Sequence, residues 1–330
     1  MKKKELSIDD LRLINALQVR PRASWLLLGR SLGADPVTLS RRWERLREQG
    51  IAWIAAYYSV MRRPSAALLE IECPPASTLD IARQLARDPE VLSIDLTTGQ
   101  RVLLVTVMCD SVDQLSGYVL ERMGSLPGIT TLRTQMITTA FVDARNWRLR
   151  VLTPSEVDVL SEGQEPPHGV ANASLEEEAA LYRALYREPR ITMKSLAIEL
   201  DVTQGRARAL LHGELSSGNL VLRTEIARPY SGWPVYAWFF LRVPPEHRAE
   251  AAQQLTLLRE SRLVASILGR YDIVLAVWLK SITDLDRFEV YLSTAFPSVT
   301  VLDRSIVLRT PFHLRRNLDA HGRHFSDAND

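Results

Sequence analysis

The 330-residue chain reads as an α+β protein in which two winged helix-turn-helix units alternate with two ferredoxin-like βαββαβ modules. Three observations predict this. The chain repeats itself, one pass running from Leu6 to Phe141 and the other from Leu175 to Phe312. Pro74-Pro75 returns as Pro244-Pro245, Ser111 to Leu115 as Ser281 to Leu285, and Gly99 as Gly269. Each pass opens with three short helical patterns closed by a glycine, Gly50 or Gly218. Each then changes period to strand, helix, two strands, helix, strand, which is the ferredoxin-like order.

The elements follow from local signals. Ser7 with Asp10 resembles a capping box, and Leu11, Ile14 and Leu17 follow at helical spacing. Ser24 caps a second helix holding Trp25, Leu28 and Leu32, closed by Gly33. Asp35 before Pro36 is the strongest start signal, a carboxylate cap followed by proline at the first helical position. The helix it opens keeps Leu39, Trp43 and Leu46 on one core face and stops at Gly50. The Gly33-Ala34 turn makes the last two helices a helix-turn-helix, and the β-rich stretch Ile51 to Tyr58 supplies a wing. Strands are expected at Ala67–Cys73, Val91–Leu96, Val102–Cys109 and Ile129–Phe141, with helices at Leu79–Arg87 and from Ser111. One face of such a sheet takes the helices; the other is apolar and needs a cover, usually a second sheet.

A connector from Ala144 to Ala173 holds a short helix (Pro154–Leu160) and a Glu-Gly-Gln-Glu-Pro-Pro-His-Gly loop. Ser174 with Glu177 starts the second three-helix unit, and Thr192 and Thr203 cap its later helices. The polar tail from Leu314 is expected to fray. The domains expected are therefore 1–63 and 174–230 (helix-turn-helix), 64–145 and 231–313 (ferredoxin-like), a linker at 146–173, and a flexible tail at 314–330.

Composition bounds the function. With 46% hydrophobic and 24% charged residues the chain is ordinary globular protein. Cys73 and Cys109 sit in apolar strand-like runs and read as buried thiols in a reducing cytoplasm. Met1 to Glu5 is not followed by the apolar stretch of a signal peptide. The longest apolar run, Val235–Leu241, falls far short of the ~20 residues of a membrane span. The sequence contains no glycine-rich phosphate loop, nucleophile–base pair or cysteine metal knuckle. His321 and His324 have loose metal-ligand spacing, but in a polar tail. No cofactor, metal or catalytic residue is expected.

The formal net charge is only +2, yet its distribution is uneven. Residues 1–63 carry thirteen Lys/Arg against six Asp/Glu, whereas residues 174–228 carry eight against eight. On the helix Pro36–Gln49, Thr38, Arg41, Arg42 and Arg45 project away from the core face. Taken alone, such a run also reads as a solvated face. The local charge excess favours a duplex: arginine forks bond guanine or phosphate, a helix fits the major groove, and counterion release scales with neutralised phosphates. In the second copy Arg41 becomes Ala209, Arg42 becomes Leu210 and Arg45 becomes Gly213, so base reading is lost there, although Arg206 and Arg208 allow weak phosphate contact. A palindromic operator needs two equivalent heads, which makes the expected working unit at least a homodimer. Whether the sheet modules pair within or between chains stays open.

The stretch Leu13-Ile14, Arg22-Ala-Ser24, Leu32-Gly33-Ala34-Asp35-Pro36, Arg41-Arg42-Trp43-Glu44-Arg45-Leu46 and Gly50-Ile51 resembles the N-terminal domain of the leucine-responsive regulatory protein/AsnC family. The module after it looks like that family's regulatory domain, so the resemblance covers nearly the whole chain as two fused copies. It departs in the fusion itself, the degraded second helix-turn-helix, and Ser40 and Trp43. The resemblance implies a cytoplasmic, nucleoid-associated, oligomeric transcription regulator that binds double-stranded DNA and a small effector such as an amino acid. It places DNA contacts on Ser24, Thr38, Ser40, Arg41, Arg42 and Arg45. The family's regulatory domain carries a glycine with an aspartate three residues on, so effector contacts are placed on Gly269, Tyr271 and Asp272; the first copy, Gly99 to Val102, lacks the acid. The same four residues also make a favourable β-turn. The tandem chain further resembles fused sirohaem decarboxylases, the alternative function. Those enzymes need histidine and basic groups around the second and third strands, and none of the six histidines here lies in Val91–Cys109 or Leu263–Leu279.

Overall fold

The computed structural model describes residues 6–60, 62–142, 147–162 and 173–326. The first copy runs α1 (Ile8–Val19), α2 (Trp25–Leu32), α3 (Pro36–Glu48), β1 (Ala52–Tyr58), β2 (Ser65–Glu72), α4 (Thr78–Leu85), β3 (Val91–Thr97), β4 (Leu103–Cys109), α5 (Val112–Gly117) and β5 (Thr131–Val142). After α6 (Pro154–Ser161), the second runs α7 (Leu175–Arg187), α8 (Met193–Glu199), α9 (Gln204–Ser216), β6 (Leu220–Ile226), β7 (Val235–Arg242), α10 (Arg248–Thr256), β8 (Ser261–Leu268), β9 (Ile273–Leu279), α11 (Asp284–Ala295), β10 (Thr300–His313) and β11 (Arg316–Asn317). These elements do not pack in sequence order. Met1–Arg62 and Arg148–Ile226 form one compact unit, and Arg63–Trp147 and Ala227–Asp330 form another.

The helical unit is held together at β1 and β6. They pair antiparallel from Ala52↔Ile226 to Tyr58↔Leu220, centred on Ala55↔Arg223. The stretch expected as the strand of a wing is a strand, but its partner is the matching strand of the other copy. It is buried except at Tyr58, and a wing would be exposed. The packing is crossed: α1 lies on β6 and α7 on β1, and Thr224 Oγ1 donates to Leu17 O at 2.8 Å. Two equivalent arginines complete the twofold relation. Arg22 donates to the carbonyls of Pro189 and Ile191, and Arg190 to those of Pro21 and Ala23. Burial lowers the pKa of both, Arg190 to about 10.

The expected linker is also part of this unit up to Glu162; residues 163–172 lie outside the described set. Asn15 Oδ1 accepts from Val151 N at 2.9 Å and Gln18 Oε1 from Leu149 N at 3.0 Å. Helix α6 opens on a Thr153/Glu156 capping box and packs on α1 and α2. Arg12 pairs with Glu156, Ser31 donates to Glu156 O, and Leu160 is fully buried.

In the second unit, each copy folds its strands in the ferredoxin-like order, β3-β4-β2-β5 and β8-β9-β7-β10. The copies then pair edge to edge, β5 with β8 and β10 with β3, so the eight strands close on themselves within one chain. Alternation along the strands splits the core. Ala67, Leu69 and Ile71 of β2 face the cluster that takes Ile81 and Leu85 of α4; Ala237, Phe239 and Leu241 of β7 face the cluster around Phe288 and Leu292 of α11. Leu68, Leu104, Trp238, Phe240, Ile267 and Val274 form the cluster between the two sheets. The sequence-level demand for a cover is met by the duplicate.

The tail departs from expectation through Phe325. Leu314 and Arg315, at φ 49° and 63°, turn the chain back so that Phe312 pairs with Asn317 and His313 with Arg316. Two consecutive left-handed residues are the geometry of a type I′ hairpin, normally carried by Asn-Gly; this turn has neither. Arg315 Nη1 donates to the carbonyls of Asp88, Pro89 and Val91, which anchors the hairpin.

Both cysteines are free and buried, and burial pushes the Cys109 thiol up to about 11. Since the thiolate is the nucleophile, native protein at pH 8 is expected to react with Ellman's reagent at least tenfold more slowly than urea-unfolded protein. Equal rates would place these thiols at the surface.

Candidate nucleic-acid interface and effector turn

The helix-turn-helix geometry is set by α2, its turn and α3. Ser24 Oγ accepts from Leu27 N and so caps α2. Gly33 takes φ 66° at the turn. Gly29 matters equally and was not apparent in the sequence: a Cβ there would lie 2.8 Å from Ala34 O. Asp35 Oδ1 accepts from Thr38 N at 2.8 Å, and that bond is the main reason its carboxyl sits below the usual range. Leu39, Trp43 and Leu46 face the core, as their spacing requires.

The six residues expected at DNA divide into three groups. Thr38 and Arg41 are exposed on the outer face, and Arg41 makes no ion pair among the described residues. Arg42 and Arg45 both reach Asp10 Oδ1, at 3.1 and 2.8 Å, so they also tie α3 to the start of α1. Arg45 still keeps about half its side chain in solvent, Arg42 about a fifth. Ser24 is exposed but spends its hydroxyl on the cap, and Ser40 is half-buried. The structure adds Val37, 57% exposed beside Thr38, a side chain suited to a thymine methyl. Charge counting cannot find it.

The second copy keeps the motif's backbone with different chemistry. Asp201, at φ 52°, stands where Gly33 stands, and Ala197 replaces Gly29. Arg206 is committed to Glu177 through Nε and Nη2, at 2.9 and 2.7 Å, and those bonds hold the Glu177 carboxyl down at about 2. Arg208 is exposed, without an ion pair among the described residues. Ala209 is exposed, while Leu210 and Gly213 are buried.

The expected effector residues do not converge on one point. Gly269 is exposed at φ 152°, and its missing Cβ leaves room for Gln135, whose Oε1 accepts from Arg270 N at 3.3 Å. Tyr271 points into the sheet interior, 2% exposed. Its hydroxyl accepts from Arg101 Nη2 at 3.1 Å and donates to Asp303 at 3.3 Å. Asp272 lies half-buried on the other side, accepting from Val243 N at 3.0 Å and Arg248 Nη2 at 2.7 Å. Tyr271 and Asp272 lie in the turn just before β9, and their different partners show that they point to opposite sides.

The interior holds polar groups the sequence reading missed. Arg101, stacked 4.0 Å from Phe240, donates to Glu70 at 3.0 Å, Ser305 at 3.1 Å and Asp303 at 2.5 Å. Asp95 accepts from Trp238 Nε1 at 3.0 Å and Thr310 Oγ1 at 2.7 Å, and burial pushes its pKa up. A lone charge inside an apolar run, such as Glu70 in Leu-Leu-Glu-Ile, was the available signal.

Residues 66–147 match the Lrp/AsnC ligand binding domain. That match spans about a quarter of the chain and falls on the first of its two βαββαβ modules. Among its relatives, an uncharacterised HTH-type transcriptional regulator of Pyrococcus horikoshii is 25% identical over 142 residues, covering 42% of this chain and 89% of that protein. A second from the same organism is 28% identical over 126 residues, covering 36% and 84%. The fold of the whole chain is similar to that of the sirohaem decarboxylase NirDL, with a TM-score of 0.59 at 14% identity, covering 91% of this chain and 92% of that one. No described helix is long and apolar enough to cross a membrane.

Gly29→Ala, which drives a Cβ against Ala34 O, is expected to lower stability by about 1–3 kcal/mol in urea unfolding. Ala197→Gly should cost only about 1 kcal/mol, the helix-propensity difference. A neutral Gly29→Ala would show that the first turn lacks this close approach.

Proposed function

We propose that this chain is a sequence-specific DNA-binding transcription regulator of the Lrp/AsnC type, acting where the chromosome is, with α3 as its reading helix. The observation that carries the reading is the outer face of α3. Exposed Val37, Thr38 and Arg41 lie beside the half-exposed Arg45, in the copy that holds the excess of cations. Arg41 supplies a free guanidinium fork for a base edge or phosphate, and Asp10 holds Arg42 and Arg45 in fixed directions on the same helix. The HTH-type regulator names of the relatives agree with this reading.

A small effector, such as an amino acid, belongs to the same reading. Its ammonium group would replace the Arg248 guanidinium at Asp272, beside Gly269, with Tyr271 coupling the turn to Arg101 and Asp303. The alternative, tetrapyrrole decarboxylation, draws on the full-length fold similarity alone. Strands β3, β4, β8 and β9 carry no histidine to handle such a substrate's carboxylates.

Gel shifts with the DNA upstream of the chain's own gene should show retardation that Arg41→Glu weakens by at least tenfold. Unchanged retardation would remove α3 from the interface, and a Soret band appearing on titration with sirohaem or haem would favour the enzyme. If amino acids alter the wild-type shift, Asp272→Ala should abolish that response; a retained response moves the effector elsewhere.

A further inference from the structure

A duplex-reading protein ordinarily obtains its second head from a second, identical subunit, and its operator is then palindromic. Here the second head is already in the chain. The strands β1 and β6 pair in a register symmetric about Ala55↔Arg223. The spacing in sequence between those two residues equals that between Arg22 and Arg190, whose guanidinium groups reciprocally grip the opposite copy's backbone. The crossed seating of α1 on β6 and α7 on β1 obeys the same relation. The helix-turn-helix of α2–α3 and that of α8–α9 are thus held as a dimer's two heads would be, inside one unit.

The heads differ where they would meet DNA. The outer face of α3 offers Val37, Thr38, Arg41 and Arg45. That of α9 offers Gln204 at its first turn, then Gly205, Arg208 and Ala209, with Arg206 neutralised by Glu177. With Ala209 and Gly213 where α3 has Arg41 and Arg45, and Arg208 as an exposed guanidinium without an ion pair among the described residues, this face can neutralise phosphate but has less than α3 with which to read base edges.

We infer that a single chain is the complete DNA-binding unit and that it recognises an asymmetric site: one half-site read in sequence by α3, the adjoining one held through its backbone by α9. This rests on the reading of the chain as a DNA binder. It departs from the expected homodimer, because the two heads a duplex requires are supplied in one polypeptide.

The test is selection of the full-length protein on a random duplex pool, followed by native mass spectrometry of the bound species and binding titrations at several salt concentrations. The expected motif is one-sided, with backbone protection extending past it, at one chain per duplex. Arg41→Ala should lower affinity for the selected site by roughly five- to 150-fold while sparing non-specific duplex much more. Arg208→Ala should weaken all duplexes alike and reduce the slope of log K against log salt by about 0.9. A palindromic motif bound by two chains would overturn the inference and leave the DNA-binding reading intact. So would an Arg208→Ala variant that changes the preferred sequence. Failure of the wild type to bind any duplex at low salt would overturn both.

Discussion

Three strand pairings between the copies carry the architecture: β1 with β6, β5 with β8, and β3 with β10. Each closes a row of backbone donors and acceptors that a single copy leaves open, and an open edge is a template for unwanted partners. Closure around the second unit also seals Leu68, Trp238 and Phe240 between the sheets. In each unit the two copies are interdependent, since neither can bury its strands without the other. The compact units are consequently assembled across the repeat rather than along it.

Covalent fusion changes what can sit on a twofold interface. In a homodimer a residue on the axis meets its own copy, so an arginine there would face an arginine at close range. In this chain Arg101 and Tyr271 hold equivalent positions, each two residues after the turn glycine, and they hydrogen-bond to one another. The surrounding Glu70, Ser305 and Asp303 come unequally from the copies. The helical unit shows the same freedom: Asp10 is answered by Arg42 and Arg45, and its counterpart Glu177 by Arg206. Once the copies share a chain, each can drift without meeting its own change across the axis. One head can then stay cationic while the other becomes neutral.

Much of the fold was legible because its signals are local. The capping boxes of Ser7/Asp10 and Ser174/Glu177 close within one turn of backbone, and both are present. Asp35-Pro36 opens α3 where its chemistry says it must. Of the candidate interface, the outward positions of Thr38 and Arg41 followed from helical period. Asp10 as the partner of Arg42 and Arg45 did not, because it lies a whole helix away in sequence. At the Gly269 turn the residue types were readable, but their directions depended on distant partners, Gln135 and Arg101 from the other copy and Arg248 a helix away.

Periodicity, capping chemistry and the repeat determined from sequence alone that two helix-turn-helix units and two βαββαβ sheets exist, and which helix bears the arginines. Those are properties of neighbouring residues and of composition. Tertiary structure alone decided that the strand β1 pairs with β6 of the other copy, that the sheets close on each other within one chain, and that residues 312–317 form a hairpin. Such outcomes turn on long-range backbone hydrogen bonds, such as Ala55↔Arg223 and the Arg315 donations to the loop before β3. A backbone donor or acceptor has the same chemistry in every residue but proline, so sequence does not mark which distant edge it will meet.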